Sequence, residues 1–300
     1  MPMVGFLHAG SLAPSVEQVQ GFLQGLRESG LVEHQNVALE YRWAEGRYER
    51  LPELAAELVK RSVQVLIAGG GPAATFAAKA ATTTIPIVFI SGDDPVKRGL
   101  VASFNRPGGN ITGSVFFNTA LVGKRLAFLR DLIPAANVAA YLVNPSNPEA
   151  EQETRNAQEA AGALGIEFHV LSARNADEID AAFVKLGELR AQMLVMASDP
   201  FLFSRREQMA TLARRAAMPV VATAREYVTA GLLASYGNSI PEAYREAGVY
   251  AARILKGAQP GDLPVVQSTK FTMAINLKTA NSLGITIPPD VLAIADEVIE

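Results

Sequence analysis

The feature of this sequence that most constrains its fold is a repeated alternation between short apolar runs and longer segments of helical periodicity. Residues 4–7 and 65–68 are apolar runs of strand length, whereas residues 15–28 carry apolar side chains at helical spacing. Short turns containing glycine and proline join these segments. Strands and helices that alternate in this way form a parallel sheet with helices on both faces.

The same alternation starts again in the middle of the chain. A loop and an extended segment at residues 105–117 interrupt it, and a new series begins with a helical segment at 124–132 and an apolar run at 138–143. A chain of 300 residues is long enough for two domains of ordinary size. We therefore predict an α/β fold with two doubly wound parallel-sheet lobes.

Local signals add predictions for single elements. Ser15 and Gln18 have the spacing of a capping box at the start of a helix. We expect one helix over residues 96–104, one helix over residues 201–217, and a final helix from Val291 onward.

Composition and motif content exclude several classes of function. Lys and Arg number 27 against 30 Asp and Glu, without a basic run, so we expect no nucleic-acid partner. The chain has no cysteine, and its three histidines, His8, His34 and His169, lack metal-ligand spacing. Since no nucleophile motif is present either, we expect no enzymatic activity, no metal and no cofactor.

The sequence also bears on localisation. It contains no apolar stretch that approaches the length of a membrane span. Residues 4–7 already have the pattern of a strand, so an exported protein of this kind is expected to have lost its signal peptide before this point.

Candidate binding residues come from the loops that follow the predicted strands. In open α/β sheets a ligand lies beyond the carboxyl ends of the strands, near a switch point in strand order. The loops at these ends are rich in Gly, Ser, Asn and Asp. The candidates of lobe one are His8, Ser11, Gly70, Gly71, Pro72, Ala73, Ser91, Gly92, Asp93, Asp94 and Phe117. Those of lobe two are Asn144, Asn147, Ser198, Asp199, Phe201, Arg225 and Glu226.

Each candidate has a structural alternative. Glycines before Pro72 let backbone N–H groups at a helix start reach a carboxylate, but they also suit a plain tight turn. Asp94 and Asp199 each precede a proline, and an aspartate at that position caps a helix whether or not it contacts a ligand.

The aromatic and charged candidates also have both a ligand-binding and a structural interpretation. Phe117 and Phe201 can stack on a ligand, although core packing is the commoner fate of an aromatic ring. Arg225 and Glu226 can clamp an ionic ligand or form a surface pair of little energetic value.

An ordered set of short motifs gives the chain a family likeness. The most distinctive is Arg-Pro-Gly-Gly-Asn-Ile-Thr-Gly at residues 106–113. The other motifs lie at residues 4–11, 71–74, 84–89, 94–96, 142–145, 255–258 and 275–280. Together they resemble a family of ABC-transporter substrate-binding proteins related to tryptophan-binding, TrpX-type receptors.

The resemblance implies a periplasmic binding protein type I-like fold. In that fold two lobes are joined by a hinge of three strands, and ligand binds in the cleft. Lobe one is then expected to comprise residues 1–115 and about 238–262, and lobe two residues 116–237 and about 263–300. Closure of the hinge on the ligand is the implied mechanism.

The resemblance also implies a function. We expect the extracytoplasmic or periplasmic solute-binding component of an ABC importer, a monomer that delivers a small polar ligand to a membrane permease. The expected ligand is an amino acid, aromatic ones included, or a related small carboxylate. Two alternatives stay open: a ligand-sensing domain of a regulator or receptor with the same fold, and a doubly wound enzyme.

Overall fold

The structure, a computed structural model, describes residues 1–268 and 271–300, apart from the side chain of residue 119. The strands in chain order are β1 (Met3–His8), β2 (Ala38–Trp43), β3 (Val65–Gly69), β4 (Ile87–Ser91), β5 (Ile111–Val115), β6 (Val138–Val143), β7 (Glu167–Ser172), β8 (Met193–Met196), β9 (Val220–Ala222), β10 (Ala234–Asn238), β11 (Val266–Gln267), β12 (Phe271–Asn276) and β13 (Glu297–Ile299).

The helices follow in the same order. They are α1 (Val16–Glu28), α2 (Leu51–Lys60), α3 (Pro72–Ala81), α4 (Val122–Leu132), α5 (Ala150–Ala163), α6 (Ala176–Glu188), α7 (Pro200–Ser204), α8 (Arg206–Arg215), α9 (Arg225–Thr229), α10 (Ile240–Leu255), α11 (Leu277–Ser282) and α12 (Pro289–Ile294). These elements form two compact units, of which unit one is Met1–Phe117 with Ser239–Thr269 and unit two is Asn118–Asn238 with Lys270–Glu300.

Unit one is built on a six-stranded sheet in the order β11-β5-β4-β3-β1-β2. Its strand pairs are parallel. The chain runs from β1 outward to β2 and then returns past β1 to β3, so the strand order reverses between β1 and β3. His8 and Gly69 are register partners at the carboxyl ends of these two strands. A ligand is expected to lie at such a switch point.

Helices cover both faces of this sheet because its strands are apolar on both sides. On one face, Leu54, Leu58 and Ala78 of α2 and α3 pack in one buried cluster with Leu66 and Phe89. On the other face, α1 and α10 contribute to a second cluster, which is built around Phe6, Phe22 and Tyr244. Burial of this apolar surface is the main stabilising contribution to the unit.

The packing of α1 against α10 depends on glycine. A Cβ atom added at Gly25 would lie 1.9 Å from the carbonyl oxygen of Arg245, and one at Gly21 would lie 2.3 Å from that of Pro241. On the facing helix, a Cβ at Gly248 would lie 2.2 Å from the carbonyl oxygen of Phe22. The two backbones therefore touch directly, and the segment from Ser239 onward is an integral part of unit one.

The boundary of that returning segment differs from the one expected from the sequence. Residues 263–268, assigned by sequence to lobe two, belong with unit one because β11 pairs with β5, Val266 against Ser114. The Val265 N–H also bonds to the Phe104 carbonyl oxygen at 2.7 Å. Of the three expected crossings, the first follows Phe117 and the second follows Asn238. The third falls on residues 269 and 270, which lie outside the described residues.

Unit two is built on a seven-stranded sheet in the order β13-β12-β10-β9-β8-β6-β7. Its strand order reverses between β6 and β8, as unit one's does between β1 and β3. Strand β12 runs antiparallel to β10, so this sheet is not parallel throughout. Strand β13 then pairs parallel to β12 and completes the edge.

Some local predictions are wrong. Residues 96–104 form turns and no helix: Gly99 has a φ of +66°, and the Leu100 N–H bonds back to the Pro95 carbonyl. The helix expected over 201–217 is two helices that meet at Arg205. The predicted final helix is present as Pro289–Ile294, but it is short and is followed by β13.

The capping box at the start of α1 is also wrong. Among the described residues, the Ser15 side chain makes no capping hydrogen bond, and the Gln18 side chain bonds to His8 instead. A related reciprocal cap exists at α6, where the Asn175 side chain accepts the Glu178 N–H at 2.9 Å. The Glu178 carboxylate in turn accepts the Arg174 N–H at 2.8 Å.

Within residues 1–268 and 271–300, no helix combines the length and apolarity that a membrane crossing requires. Over the same residues, His, Asp and Glu side chains form no cluster of three or more that could hold a metal ion.

Candidate functional site

His8 organises the carboxyl edge of unit one. Its Nδ1 accepts the Gly10 N–H at 2.9 Å, which shapes the loop after β1. Its Nε2 lies 3.1 Å from Oε1 of Gln18 and 2.8 Å from the Tyr244 hydroxyl oxygen. The same hydroxyl accepts the Gly70 N–H at 3.0 Å. His8 therefore links the loops after β1 and β3 to α1 and α10.

The bonding of His8 defines its protonation state. The pKa of His8 is lowered from 6.5 to about 4, mainly because the ring is buried. The ring is therefore neutral at pH 7. Since Nδ1 accepts a hydrogen bond, the single proton of the ring is on Nε2, which donates toward Gln18 and Tyr244. Burial likewise raises the pKa of the Tyr244 hydroxyl, so this group stays protonated. His8 is thus a neutral positioning group whose ring nitrogens are both used within the protein.

The turn after β3 brings backbone close to the edge. Gly70 and Gly71 have φ angles of +78° and +100°, a region that favours glycine. A Cβ atom at Gly70 would lie 2.9 Å from the backbone nitrogen of Ala9, so the loops after β1 and β3 pack tightly. Helix α3 then begins at Pro72, and the N–H groups of its first turn, at Ala73 and beyond, have no partner within the helix. Ser11, in the neighbouring loop, is half-buried.

The carboxylates after β4 are engaged within their own loop. The Asp94 carboxylate accepts the N–H groups of Val96 and Lys97 at 2.9 and 3.2 Å, and thereby caps the turn. Asp93 accepts the Asp94 N–H at 2.8 Å and forms an ion pair with Arg98. This arrangement favours the capping interpretation of Asp94, although both aspartates stay partly exposed.

The remaining candidates of unit one pack against its core. Ser91 is buried, and its hydroxyl accepts the Asp93 N–H at 3.2 Å. Gly92 is also buried, and a Cβ there would lie 3.0 Å from the Phe116 ring. Phe117 has a φ of +41°, and its ring centroid lies 6.1 Å from that of Phe104. Its aromatic contact is with the protein, and the residue is half-buried.

Unit two has a polar network at its own switch point. Asp199 caps α7 by accepting the Leu202 N–H at 2.8 Å. Its carboxylate also receives the side-chain amide of Asn144 at 3.3 Å and that of Asn147 at 3.0 Å. The Asn147 amide further donates to the Ser198 carbonyl at 3.2 Å. The loops after β6 and β8 are therefore tied together by four candidates predicted from the sequence.

The other three candidates of unit two have the following surroundings. Phe201 is buried in α7, with the Arg205 guanidinium 5.8 Å from its ring centroid. Arg225 is exposed and forms an ion pair with Glu297 of β13, whereas Glu226 is buried. These contacts favour a structural role for the side chains of Phe201 and Arg225.

A buried ionic pair beneath the unit-two network escaped the sequence analysis. Arg125 of α4 is fully buried, and its Nη1 lies 3.8 Å from Oε1 of Glu153 on α5. The Glu153 carboxylate accepts the Ser198 N–H at 3.1 Å. Burial is the main cause that raises the pKa of Glu153 to about 7, against the opposing charge of Arg125.

The sequence offered little signal for this pair or for Tyr244. Arg125 and Glu153 lie on helices whose other charged residues are exposed or half-buried, and only an inward position in the helical pattern distinguishes them. Tyr244 and Gln18 act through His8, and Tyr244 is 236 positions away from it in sequence. Contacts over that separation are set by the fold and not by local pattern.

Comparison with known proteins extends these observations. The model of the family described as "ABC transporter substrate binding protein" matches residues 11–299. A tyrosine-binding protein of Clostridioides difficile is 25% identical over 272 residues, which are 90% of this chain and 77% of that protein.

Two solved structures align over 99% of both chains with a TM-score of 0.89. One is a conserved domain protein of Vibrio cholerae, 28% identical. The other is an ABC domain of Streptococcus pneumoniae in complex with L-Trp, 24% identical. This similarity confirms the predicted α/β periplasmic-binding-protein fold of two lobes, each with its own sheet.

Proposed function

This chain belongs to the ABC transporter substrate-binding protein family, and from that premise we propose that it captures an aromatic amino acid for import. The family consists of binding proteins, which agrees with the expectation that the chain is not an enzyme. The relatives reported above bind tyrosine in one case and tryptophan in another. These two amino acids are therefore the first candidates for the ligand.

The proposal rests on one observation: each unit has ordered polar groups at the place where its strand order reverses. In unit one, the glycine turn before Pro72 leaves the first N–H groups of a ten-residue helix at the sheet edge. Such N–H groups, at the positive end of a helix dipole, suit the carboxylate of an amino acid. The adjacent loops with Ser11, Asp93 and Asp94 supply hydroxyl and carboxylate acceptors for its ammonium group.

We assign the complementary contacts to unit two. The side chains of Asn144, Asn147 and Ser198 offer amide and hydroxyl groups at this edge. The two amides are held by their bonds to Asp199, and the Ser198 backbone carbonyl accepts the Asn147 amide. In this proposal the ligand bridges the carboxyl edges of both units within the cleft, and contacts from both stabilise a closed hinge. Binding then shifts the population toward closure by the difference in affinity between the two states.

The proposal includes a location and a partner. A substrate-binding protein works outside the cytoplasm, or in the periplasm, and hands its ligand to the permease of its transporter. We propose that this chain does so as a monomer. Family membership favours this role over the alternative of a regulatory ligand-sensing domain.

The direct test is calorimetric titration of protein that has been unfolded and refolded to remove any bound ligand. We expect L-tyrosine or L-tryptophan to bind with micromolar affinity or tighter, and L-leucine and L-lysine to bind far more weakly. Native mass spectrometry of protein purified without unfolding identifies any ligand carried from the cell. Binding of none of the aromatic amino acids would refute the proposed ligand class.

A further inference from the structure

We propose that Arg125 and Glu153 are positioning residues that hold the Ser198–Asp199 turn to the points where the chain enters and leaves unit two. The inference rests on the proposed function in taking that turn as a ligand contact. It concerns residues that do not themselves reach the sheet edge.

The first part of the argument is the environment of Arg125. Its guanidinium is fully buried, which is unfavourable unless hydrogen bonds and an opposite charge compensate. Its Nε donates to the Tyr236 carbonyl at 2.8 Å, and its Nη2 donates to the Asn118 carbonyl at 3.0 Å. Asn118 is the first residue of unit two, and Tyr236 lies two residues before Asn238, after which the chain returns to unit one.

These two chain segments are also bonded to each other. The Asn118 side-chain oxygen accepts the Asn238 N–H at 3.2 Å. A Cβ atom at Gly237 would lie 2.0 Å from the Thr223 carbonyl oxygen and 3.1 Å from the Asn118 side chain. The segments through which the chain enters and leaves unit two are therefore closely packed. Arg125 donates a hydrogen bond to a backbone carbonyl of each segment.

The second part is the environment of Glu153. Its two oxygens lie 3.1 and 3.2 Å from the Ser198 backbone nitrogen, immediately before the capping residue Asp199. Groups that face Glu153 are the Arg125 guanidinium, the Tyr141 hydroxyl and the Asp199 carboxylate. A hydrogen bond from a backbone N–H to an ionised carboxylate is stronger than one to a neutral group. The charge of Glu153, balanced by Arg125, therefore determines how firmly the turn is held.

Stability of the core alone does not explain why Arg125 and Glu153 occupy these buried positions. Apolar side chains of similar volume commonly stabilise a core at least as well as a buried ion pair does. What an apolar pair cannot provide is a directed acceptor for the Ser198 N–H together with donors to two carbonyl groups. This difference points to positioning of the turn as the role of the pair.

The test uses Glu153→Gln, which keeps a side-chain oxygen at the same place and removes the charge. The control is Glu151→Gln on the same helix, where the side chain is 84% exposed and pairs with Arg155. Hydrogen exchange of unliganded protein, resolved at the Ser198 amide, should show protection reduced about tenfold in Glu153→Gln and unchanged in the control.

Affinity for L-tyrosine and L-tryptophan is the second readout. We expect Glu153→Gln to weaken binding about tenfold when affinity is measured at a temperature where the variant is fully folded. Its melting temperature should also fall, because Arg125 is left buried without an opposite charge. Because the pKa of Glu153 is about 7, wild-type affinity should be higher at pH 8 than at pH 6, and this difference should disappear in the variant.

Three results would overturn the inference: unchanged Ser198 protection in Glu153→Gln, reduced protection with wild-type affinity, or a wild-type pH profile in the variant. Failure of the proposed function is a different result, in which the wild type binds no aromatic amino acid. In that case the exchange measurement still decides whether the pair positions the turn.

Discussion

His8 is the single residue on which the carboxyl edge of unit one most directly depends. It contacts the loop after β1 through Gly10 and the turn after β3 through Tyr244, whose hydroxyl receives the Gly70 N–H. Replacement of the imidazole therefore disturbs two strand-end loops at once. Its neutral form is the one that makes all of these bonds.

This bonding predicts a pH dependence of stability. The native pKa of about 4 lies below the unfolded value of 6.5, so the contribution is complete above pH 6.5 and is lost as pH falls toward 4. Between pH 7.5 and 4.5 we expect His8 to account for a loss of about 2 kcal/mol in the free energy of unfolding. Urea unfolding of wild type should show this extra loss, His8→Gln should lack it, and the control His169→Gln should retain it. An equal loss in wild type and His8→Gln would contradict the assignment.

Two of the three candidate aspartates, Asp94 and Asp199, should differ in how much their replacement destabilises the protein. Asp199 is 5% exposed and accepts bonds from the buried Asn144 and Asn147 as well as from the α7 backbone. Asp199→Ala should lower the free energy of unfolding by about 3 kcal/mol, since buried amides lose their partner. Asp94→Ala removes a half-buried cap and should cost about 1 kcal/mol. Urea unfolding measures both, and equal costs would contradict this ranking.

At the scale of elements, the close contact of α1 with α10 predicts that two glycine-to-alanine substitutions differ in their effect on stability. Gly25→Ala places a methyl group 1.9 Å from a backbone carbonyl and should destabilise the protein by about 3 kcal/mol or more. The matched control is Gly162→Ala in α5, where no described atom lies within 4 Å of the added carbon. Alanine is the better helix former, so the control should be neutral or stabilising by up to about 1 kcal/mol. Thermal or urea unfolding separates them, and similar effects would refute the packing argument.

Elements with a long periodic pattern were predictable from sequence, and short ones were not. Helices such as α1 and α4 and strands such as β6 agree with their predicted ranges within a few residues. Strands β11 and β13 have two and three residues and exist through pairing with β5 and β12. Such pairing depends on the whole fold, which a local pattern does not contain.

The candidate site shows the same division. The sequence predicted that the candidate loops follow the strands and therefore lie at the carboxyl edges of the sheets, and the structure has them there. It did not show which side chains are used internally: Asp94 caps its own turn, and Arg225 pairs with Glu297 of an unpredicted strand. Those partners follow from side-chain direction and distant chain segments.

At the scale of the whole molecule, ligand binding should act on both units together. In the proposed mechanism the ligand takes contacts from both sheet edges, so small-angle scattering should show a smaller radius of gyration when L-tyrosine or L-tryptophan is added. At about a hundred times Kd, the ligand should also add about 2.7 kcal/mol to the free energy of unfolding. L-lysine at the same concentration is the control. Stabilisation without any decrease in radius would contradict hinge closure.

The return of the chain to unit one at Ser239 has a consequence for biosynthesis. Helix α1 packs against α10, whose last residue is Leu255, and the Gly70 N–H bonds to Tyr244. On the ribosome, where a chain emerges from its N-terminus, the first 117 residues therefore lack one covering layer until most of the polypeptide has been made. Nascent chains arrested before residue 240 should expose the apolar face of α1 to chaperones or proteases.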